Sequence, residues 1–283
     1  MAAFVLAVTV GFAACGRSGE YVVTERQSDG YKVYVVEDEA GVRRLRFERD
    51  GIDQSAVVPG DPDDLVFAYM RGLMTAFAIE PEPERVLLVG LGGGTFPMFV
   101  RRHAADARID VVEIDPVVLE VAEEHLGFKR DPLLQVHLED GRRFIERSTE
   151  RWSVIALDAY SAENIPGHLI TRGFYEAVRA RLAPGGVMVA NLWSEYASPR
   201  YFDILRTIES VFGEVHVIAP ARTESRIALA FATPIGLDKE ALVKRANELK
   251  KAWRLRFDLA AMIRRGHAGP GELPVGGRII EDR

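Results

Sequence analysis

The spacing of apolar positions changes twice along the chain. Between residues 20 and 58 they come in short runs: Tyr21-Val22-Val23, Lys32 to Val36, Arg44 to Phe47 and Ala56 to Val58. Ser28-Asp29-Gly30, Asp38 to Gly41 and Asp50-Gly51 separate these runs, which predicts a meander of β-hairpins. Pro59 to Pro62 ends the meander. Leu65, Phe67, Met70, Leu73, Met74 and Phe77 then recur at helical spacing over 64–79.

From residue 85 onward, apolar strands alternate with amphipathic helices. Strands are expected at 85–90, 109–113, 134–138, 153–157, 187–191 and 214–218, with helices near 96–104, 116–126, 141–147, 172–182 and 199–211. This alternation predicts a parallel sheet covered on both faces. Ile227 to Ala232 is expected to close it as a last, antiparallel strand. Residues 238–265 read as one helix, with Leu242, Leu249, Trp253, Phe257, Ala260 and Ile263 on its apolar stripe, and Gly266 onward reads as loop. The fold class is therefore α/β. It divides into an apolar segment (1–19), a small β-domain (20–60), a Rossmann-like domain (61–235) and a C-terminal helix and tail (236–283).

Composition narrows the function. The 283 residues carry 36 Lys+Arg against 42 Asp+Glu, a net charge of −6. Mild acidity argues against nucleic acid as a partner. Residues 236–283 are locally basic, with 11 Lys+Arg against 7 Asp+Glu, and read as a solvated face. A single cysteine excludes a disulfide framework and a Cys-based zinc site, and the scattered histidines form no H-x-x-x-H pair, so no metal is expected. Met1 to Gly16 carries no charge, and Ala13-Ala14 precede Cys15. That run resembles an export signal with a lipoprotein-type cleavage site, which would place the chain at the cell envelope with a membrane anchor at its start. The alternative is an apolar tail on a cytoplasmic chain.

The sharpest motif is Gly90-Leu91-Gly92-Gly93-Gly94-Thr95, after a predicted strand and before a predicted helix. Glu113 closes the next strand, where a carboxylate accepts hydrogen bonds from ribose hydroxyls. The third glycine of a dinucleotide loop would fall at Thr95, so the spacing suits a nucleoside without pyrophosphate, such as S-adenosylmethionine. Asp140-Gly141 follows the third strand. Asp140 can accept from an adenine amino group or cap the helix that follows.

Together with these motifs, Val111 to Pro116, Glu139-Asp140-Gly141, Asp158, Leu169 to Tyr175, Leu182 to Gly186 and the hairpin segment Asp50 to Ser55 resemble the spermidine synthase family of polyamine aminopropyltransferases, in its divergent spermidine synthase-like branch. The resemblance spans about residues 20–232. It implies a seven-stranded S-adenosylmethionine-dependent methyltransferase-like Rossmann domain behind a small β-domain, and decarboxylated S-adenosylmethionine as the nucleoside. It implies that Gly90, Gly92 and Gly94 line the nucleoside, that Glu113 holds the ribose, that Asp140 and Gly141 meet the adenine, that Gln54 reaches over from the small domain, and that Asp158 faces the reaction centre. Four departures stand out. An acid of the family's loop is Gly93 here, the second acid of its next motif is Ser161, its Tyr-His pair falls at Phe67-Ala68, and its tyrosine–glutamine pair falls at Gly30-Tyr31.

The expected chemistry is aminopropyl transfer to a small amine. A protonated amine must lose a proton before it attacks, so carboxylates matter. Asp158, Tyr160, Glu163 and His168 are the catalytic candidates; Asn191, Trp193 and Glu195 are candidates to line the acceptor pocket, and Thr171 is read as a helix cap. Methyl transfer from S-adenosylmethionine is the alternative, and a non-catalytic nucleoside-binding relative or scaffold is a second one. A homodimer is expected.

Overall fold

A computed structural model describes residues 19–160, 165–274 and 276–282. Four antiparallel strands come first: β1 (Tyr21–Gln27), β2 (Lys32–Glu37), β3 (Arg43–Arg46) and β4 (Asp53–Val57), paired in sequence order. They form the expected meander. Two short helices follow, α1 (Ala68–Leu73) and α2 (Thr75–Ile79). The periodicity of 64–79 predicts one helix, but the chain tightens between them. The Met74 N–H and the Thr75 hydroxyl both donate to the Gly72 carbonyl.

The remaining elements alternate: β5 (Arg85–Val89), α3 (Thr95–His103), β6 (Arg108–Glu113), α4 (Pro116–His125), β7 (Leu134–Leu138), α5 (Gly141–Arg147), β8 (Trp152–Leu157), α6 (Arg172–Ala180), β9 (Leu182–Trp193), α7 (Tyr201–Phe212), β10 (Val215–Ile218) and β11 (Ser225–Phe231). The last elements are α8 (Lys239–Ala252), α9 (Leu259–Gly266) and the two-residue β12 (His267–Ala268). The main sheet runs β12-β10-β11-β9-β8-β5-β6-β7. Strands β9 to β7 in that order are parallel, and β11 lies antiparallel to β9. The sheet has eight strands rather than seven, because β12 adds to the β10 edge.

The sheet is buried on both faces, which is why its strands read as continuous apolar runs. One face packs against α1, α2, α3, α8 and α9 through Phe77, Phe99, Trp253 and Leu259. The other packs against α5, α6 and α7 through Phe144, Phe174, Ile204 and Ile208. The small sheet has its own core, in which Val33, Val35, Leu45 and Val57 meet Val118, Val121 and Leu126 of α4 and the turn after it. That contact holds the hairpins beside the loop that follows β5.

The predicted helix over 238–265 is two helices. Arg254 adopts a left-handed φ of 50°, and Asp258 restarts the helix by accepting the Ala261 N–H at 2.8 Å. The segment read as loop is also pinned down. Asp282 accepts from Arg142, the Thr171 hydroxyl and the Gly173 N–H, and the Ile280 carbonyl accepts the Arg172 N–H. No helix of the described residues is long and apolar enough to cross a membrane. Met1 to Ser18, with Cys15, lie outside the described residues, as do Ser161 and Glu163.

Candidate active site

Strand order reverses at β5, which has β8 on one side and β6 on the other. In open α/β sheets the crevice outside the strand carboxyl ends at such a point receives ligands. Here the chain leaves β5 at Gly90, and β8 ends next to Asp158. The Asp158 N–H donates to the Val89 carbonyl at 2.9 Å, and the Gly90 N–H to the Val112 carbonyl at 2.8 Å. A Cβ on Gly90 would lie 2.4 Å from the Asp158 carbonyl oxygen, and Gly90 has a φ of +100°. Only glycine fits there. A cavity of about 970 Å³ opens above these strand ends. It is at the upper limit of the few hundred to about 1,000 Å³ typical of ligand sites, enough for two ligands side by side.

One half of the cavity carries the nucleoside candidates. Gln54, Gly90, Gly92, Glu113, Asp140 and Gly141 all line it. Glu113 is buried and accepts the Leu91 N–H at 3.0 Å and the Asp115 N–H at 2.9 Å. Burial pushes its carboxyl above the ordinary glutamate range, against the pull of those N–H groups. One bond on each oxygen leaves further lone pairs for ribose hydroxyls. Asp140 does both things its position allows. It caps α5 by accepting the Arg143 N–H at 3.0 Å, and it also lines the cavity. Burial opposes its ionisation, but the Arg143 N–H and His168 outweigh this and hold its carboxyl below the usual range. A Cβ on Gly141 would lie 2.4 Å from Val89 Cγ1, so its glycine lets α5 close on β5.

Gly94 is placed differently from its expected role. It is not among the cavity-lining residues; its φ is +74°, and a Cβ there would meet the Phe128 ring at 2.5 Å. It serves the turn into α3. Gly93 also faces away, with Ser55 Oγ 2.8 Å from where a Cβ would stand.

The other half of the cavity surrounds Asp158. Asn191 Nδ2 donates to Asp158 Oδ1 at 2.9 Å, and the Tyr69 hydroxyl, on the same side of the cavity, also favours the charged carboxylate. Burial nonetheless pushes the Asp158 carboxyl up to about 7, the two donors acting against it. Tyr160 donates to the Asn191 carbonyl at 2.9 Å and stacks on Trp193, with ring centroids 5.5 Å apart. Burial raises the Tyr160 phenol well above its ordinary value, so it stays protonated. His168 does line the cavity, but its Nε2 lies 2.7 Å from Asp140 Oδ2. Its imidazole is engaged with Asp140 rather than with Asp158. Glu195 turns to Arg226 at 3.1 Å and does not line the cavity. Thr171 caps α6, accepting the Phe174 N–H at 3.3 Å.

Sequence reasoning missed two residues. Tyr69 falls outside the apolar stripe read over 64–79, and its position gives no sign that α1 brings it near Asp158. Tyr31 lines the cavity, and its hydroxyl and that of Ser28 both donate to Asp115, which also caps α4 through the Val117 N–H at 2.8 Å. This ties the first hairpin to the loop after β6.

A family model described as "Spermine/spermidine synthase domain" matches residues 67–222. A polyamine aminopropyltransferase from Vibrio vulnificus is 33% identical over 241 residues, which cover 83% of this chain and 80% of that one. The chain belongs to the spermine/spermidine synthase family. The solved structure of a probable spermidine synthase from Corynebacterium glutamicum shares the fold, with a TM-score of 0.71 over 92% of this chain and 96% of that one at 21% identity. Human methyltransferase-like protein 13, solved in complex with SAH, is 28% identical with a TM-score of 0.57, over 66% of this chain and 89% of that one.

As a member of the spermine/spermidine synthase family, the chain departs from the pattern at positions the structure explains. Gly93 has no room for an acid unless Ser55 shifts. Phe67 and Ala68 line the cavity as apolar groups, with Tyr69 beside them supplying the hydroxyl for Asp158.

Proposed function

We propose that the protein transfers an aminopropyl group from decarboxylated S-adenosylmethionine to a small amine. The observation that carries this reading is Asp158: a carboxyl titrating at about 7, beside the Gly90 turn, with no basic residue among its partners. A group whose pKa lies near the working pH is well suited to accept a proton. The residues present suit the donor nucleoside. Gly90 and Gly92 bend the backbone at φ of +100° and +54°, and Glu113 and Asp140 present oxygen acceptors along the same wall.

When bound, the donor supplies a carbon made electrophilic by its sulfonium. The protein then has three tasks. Asp158 holds the incoming ammonium and takes one proton from it. The freed nitrogen lone pair forms the new C–N bond as the C–S bond breaks, its electron pair leaving on sulfur as a neutral thioether. Tyr69 and Asn191 fix the carboxylate so that the nitrogen approaches in line, and Tyr160 and Trp193 wall off water. Incubation of the full chain with decarboxylated S-adenosylmethionine and an amine panel should release methylthioadenosine, detected by mass spectrometry. No release with any amine would overturn the reading and favour a non-catalytic nucleoside-binding protein.

A second reading has its own support. Position 93 carries no carboxylate to grip the amino group of an aminopropyl arm, and the SAH-bound relative has a methyltransferase's name. Tighter binding of S-adenosylmethionine than of its decarboxylated form would favour methyl transfer.

On the sequence alone, we also propose attachment to the cell envelope through the apolar start and Cys15. Mass spectrometry of the native N-terminus separates a lipidated Cys15 from an intact Met1, the outcome for a cytoplasmic chain.

A further inference from the structure

Two side chains of the first hairpin reach across to the loop after β6. The Ser28 N–H donates to the Tyr31 carbonyl at 2.9 Å and closes the turn between β1 and β2. The Ser28 hydroxyl donates to Asp115 Oδ2 at 2.7 Å, and the Tyr31 hydroxyl donates to the same oxygen. The Tyr31 ring meets the Phe47 ring edge-on, with centroids 5.0 Å apart, and both rings line the cavity. Burial and the Asp115 carboxylate raise the Tyr31 phenol above its ordinary value, so its hydroxyl stays a donor.

Asp115 is buried and passes this contact on. Its Oδ1 accepts the Val117 N–H at 2.8 Å, so the carboxylate is held at both oxygens. Its own N–H donates to Glu113 Oε1 at 2.9 Å, while the Leu91 N–H donates to Glu113 Oε2 at 3.0 Å. Capping α4 needs only the Val117 bond. The two hydroxyls on Oδ2 are additional to the cap, and they come from the other sheet. Hydrogen bonds to a carboxylate are among the strong ones, so the hairpin fixes the loop and the loop fixes one oxygen of Glu113. Neither Ser28 nor Asp115 lines the cavity, so an effect of either on a ligand must pass through a neighbour.

We propose that Tyr31, with Ser28, is a positioning residue for ribose recognition, acting through Asp115 to aim the Glu113 carboxylate at the ribose hydroxyls of the bound nucleoside. This rests on the nucleoside part of the aminopropyl-transfer reading. A carboxylate that meets two adjacent hydroxyls has to be held to within about 0.5 Å, which takes hydrogen bonds behind it as well as in front. The small β-domain then shares in selecting the nucleoside.

The test is calorimetry on the full chain with methylthioadenosine, adenosine and 2′,3′-dideoxyadenosine. The wild type is expected to bind adenosine at least about tenfold more tightly than the dideoxy compound. Tyr31→Phe should cut that ratio about fivefold, by weakening adenosine and leaving 2′,3′-dideoxyadenosine unchanged. Asp115→Asn keeps an acceptor for the helix cap but not the oxygen that receives both hydroxyls, and should cut the ratio at least as much. Ser28→Ala, at a half-buried turn position, should cut it about twofold and decides the matter if the other variants do not fold. A merely structural role would weaken both ligands alike. That result, an unmoved ratio, or a wild type indifferent to the ribose hydroxyls would overturn this inference alone, provided methylthioadenosine binds. A wild type that binds neither methylthioadenosine nor adenosine overturns the parent reading as well.

Discussion

Asn191 Nδ2 donates to Asp158 Oδ1 at 2.9 Å, linking neighbouring parallel strands at their carboxyl ends. The bond comes from a neutral amide, so it orients the carboxylate without neutralising it. Burial, acting against that bond, raises the Asp158 carboxyl to about 7, so it is basic enough to take a proton near that pH.

Replacing Asp158 with Asn removes the proton acceptor and keeps the shape. The turnover number should fall about 10²–10⁴-fold, the range for loss of a general base. Binding of methylthioadenosine, measured by calorimetry, should change little.

The rate should rise with pH through an acid limb at about 7, as Asp158 ionises. Tyr69→Phe removes a donor to the charged form and should move that limb up by about one pH unit. A profile of kcat/KM against pH for both proteins checks this. A merely structural role for Tyr69 would lower the rate without moving the limb.

The same carboxyl affects stability with a definite sign. Its folded pKa is raised from 3.8 to about 7, so folding favours the protonated form. The associated stability is complete below about pH 4 and is lost as pH rises through 7. Asp158→Asn should therefore stabilise the fold at pH 8 relative to pH 4, on the order of 2 kcal/mol, allowing for solvent in the cavity. Urea melts at the two pH values measure it.

Gly90→Ala places a Cβ 2.4 Å from the Asp158 carbonyl oxygen at a φ of +100°. The backbone of β8 cannot yield cheaply. The variant should lose about 2–4 kcal/mol of stability and its nucleoside affinity together. Gly127→Ala, where φ is +80° but nothing stands within 4 Å, is the control for strain without collision.

Asp282→Ala tests the tail. Asp282 joins Arg142, Thr171 and the Gly173 N–H at the start of α6. Its loss should cost about 1–2 kcal/mol in a thermal melt.

The sequence by itself determined the order of elements and the candidate residues along one half of the cavity. Both depend on local patterns. A buried parallel strand is a continuous apolar run, and a glycine turn with an acid after the next strand lies within one βαβ unit. Hence β5, Gly90, Glu113 and Asp140 were legible at their positions. Local periodicity could not reveal the break at Arg254, where one residue takes a left-handed φ, or the β12 edge strand, whose two residues owe their pairing to β10. Only the tertiary structure decided the half around Asp158. Tyr69, Asp158, Asn191 and Trp193 meet because α1, β8 and β9 are brought together by sheet order and packing, and no sequence period encodes that meeting. The same holds for charge. Composition counts acids, but only the fold shows that Asp53, Glu139 and Asp140 face arginine or histidine side chains while Asp158 accepts from the neutral amide of Asn191.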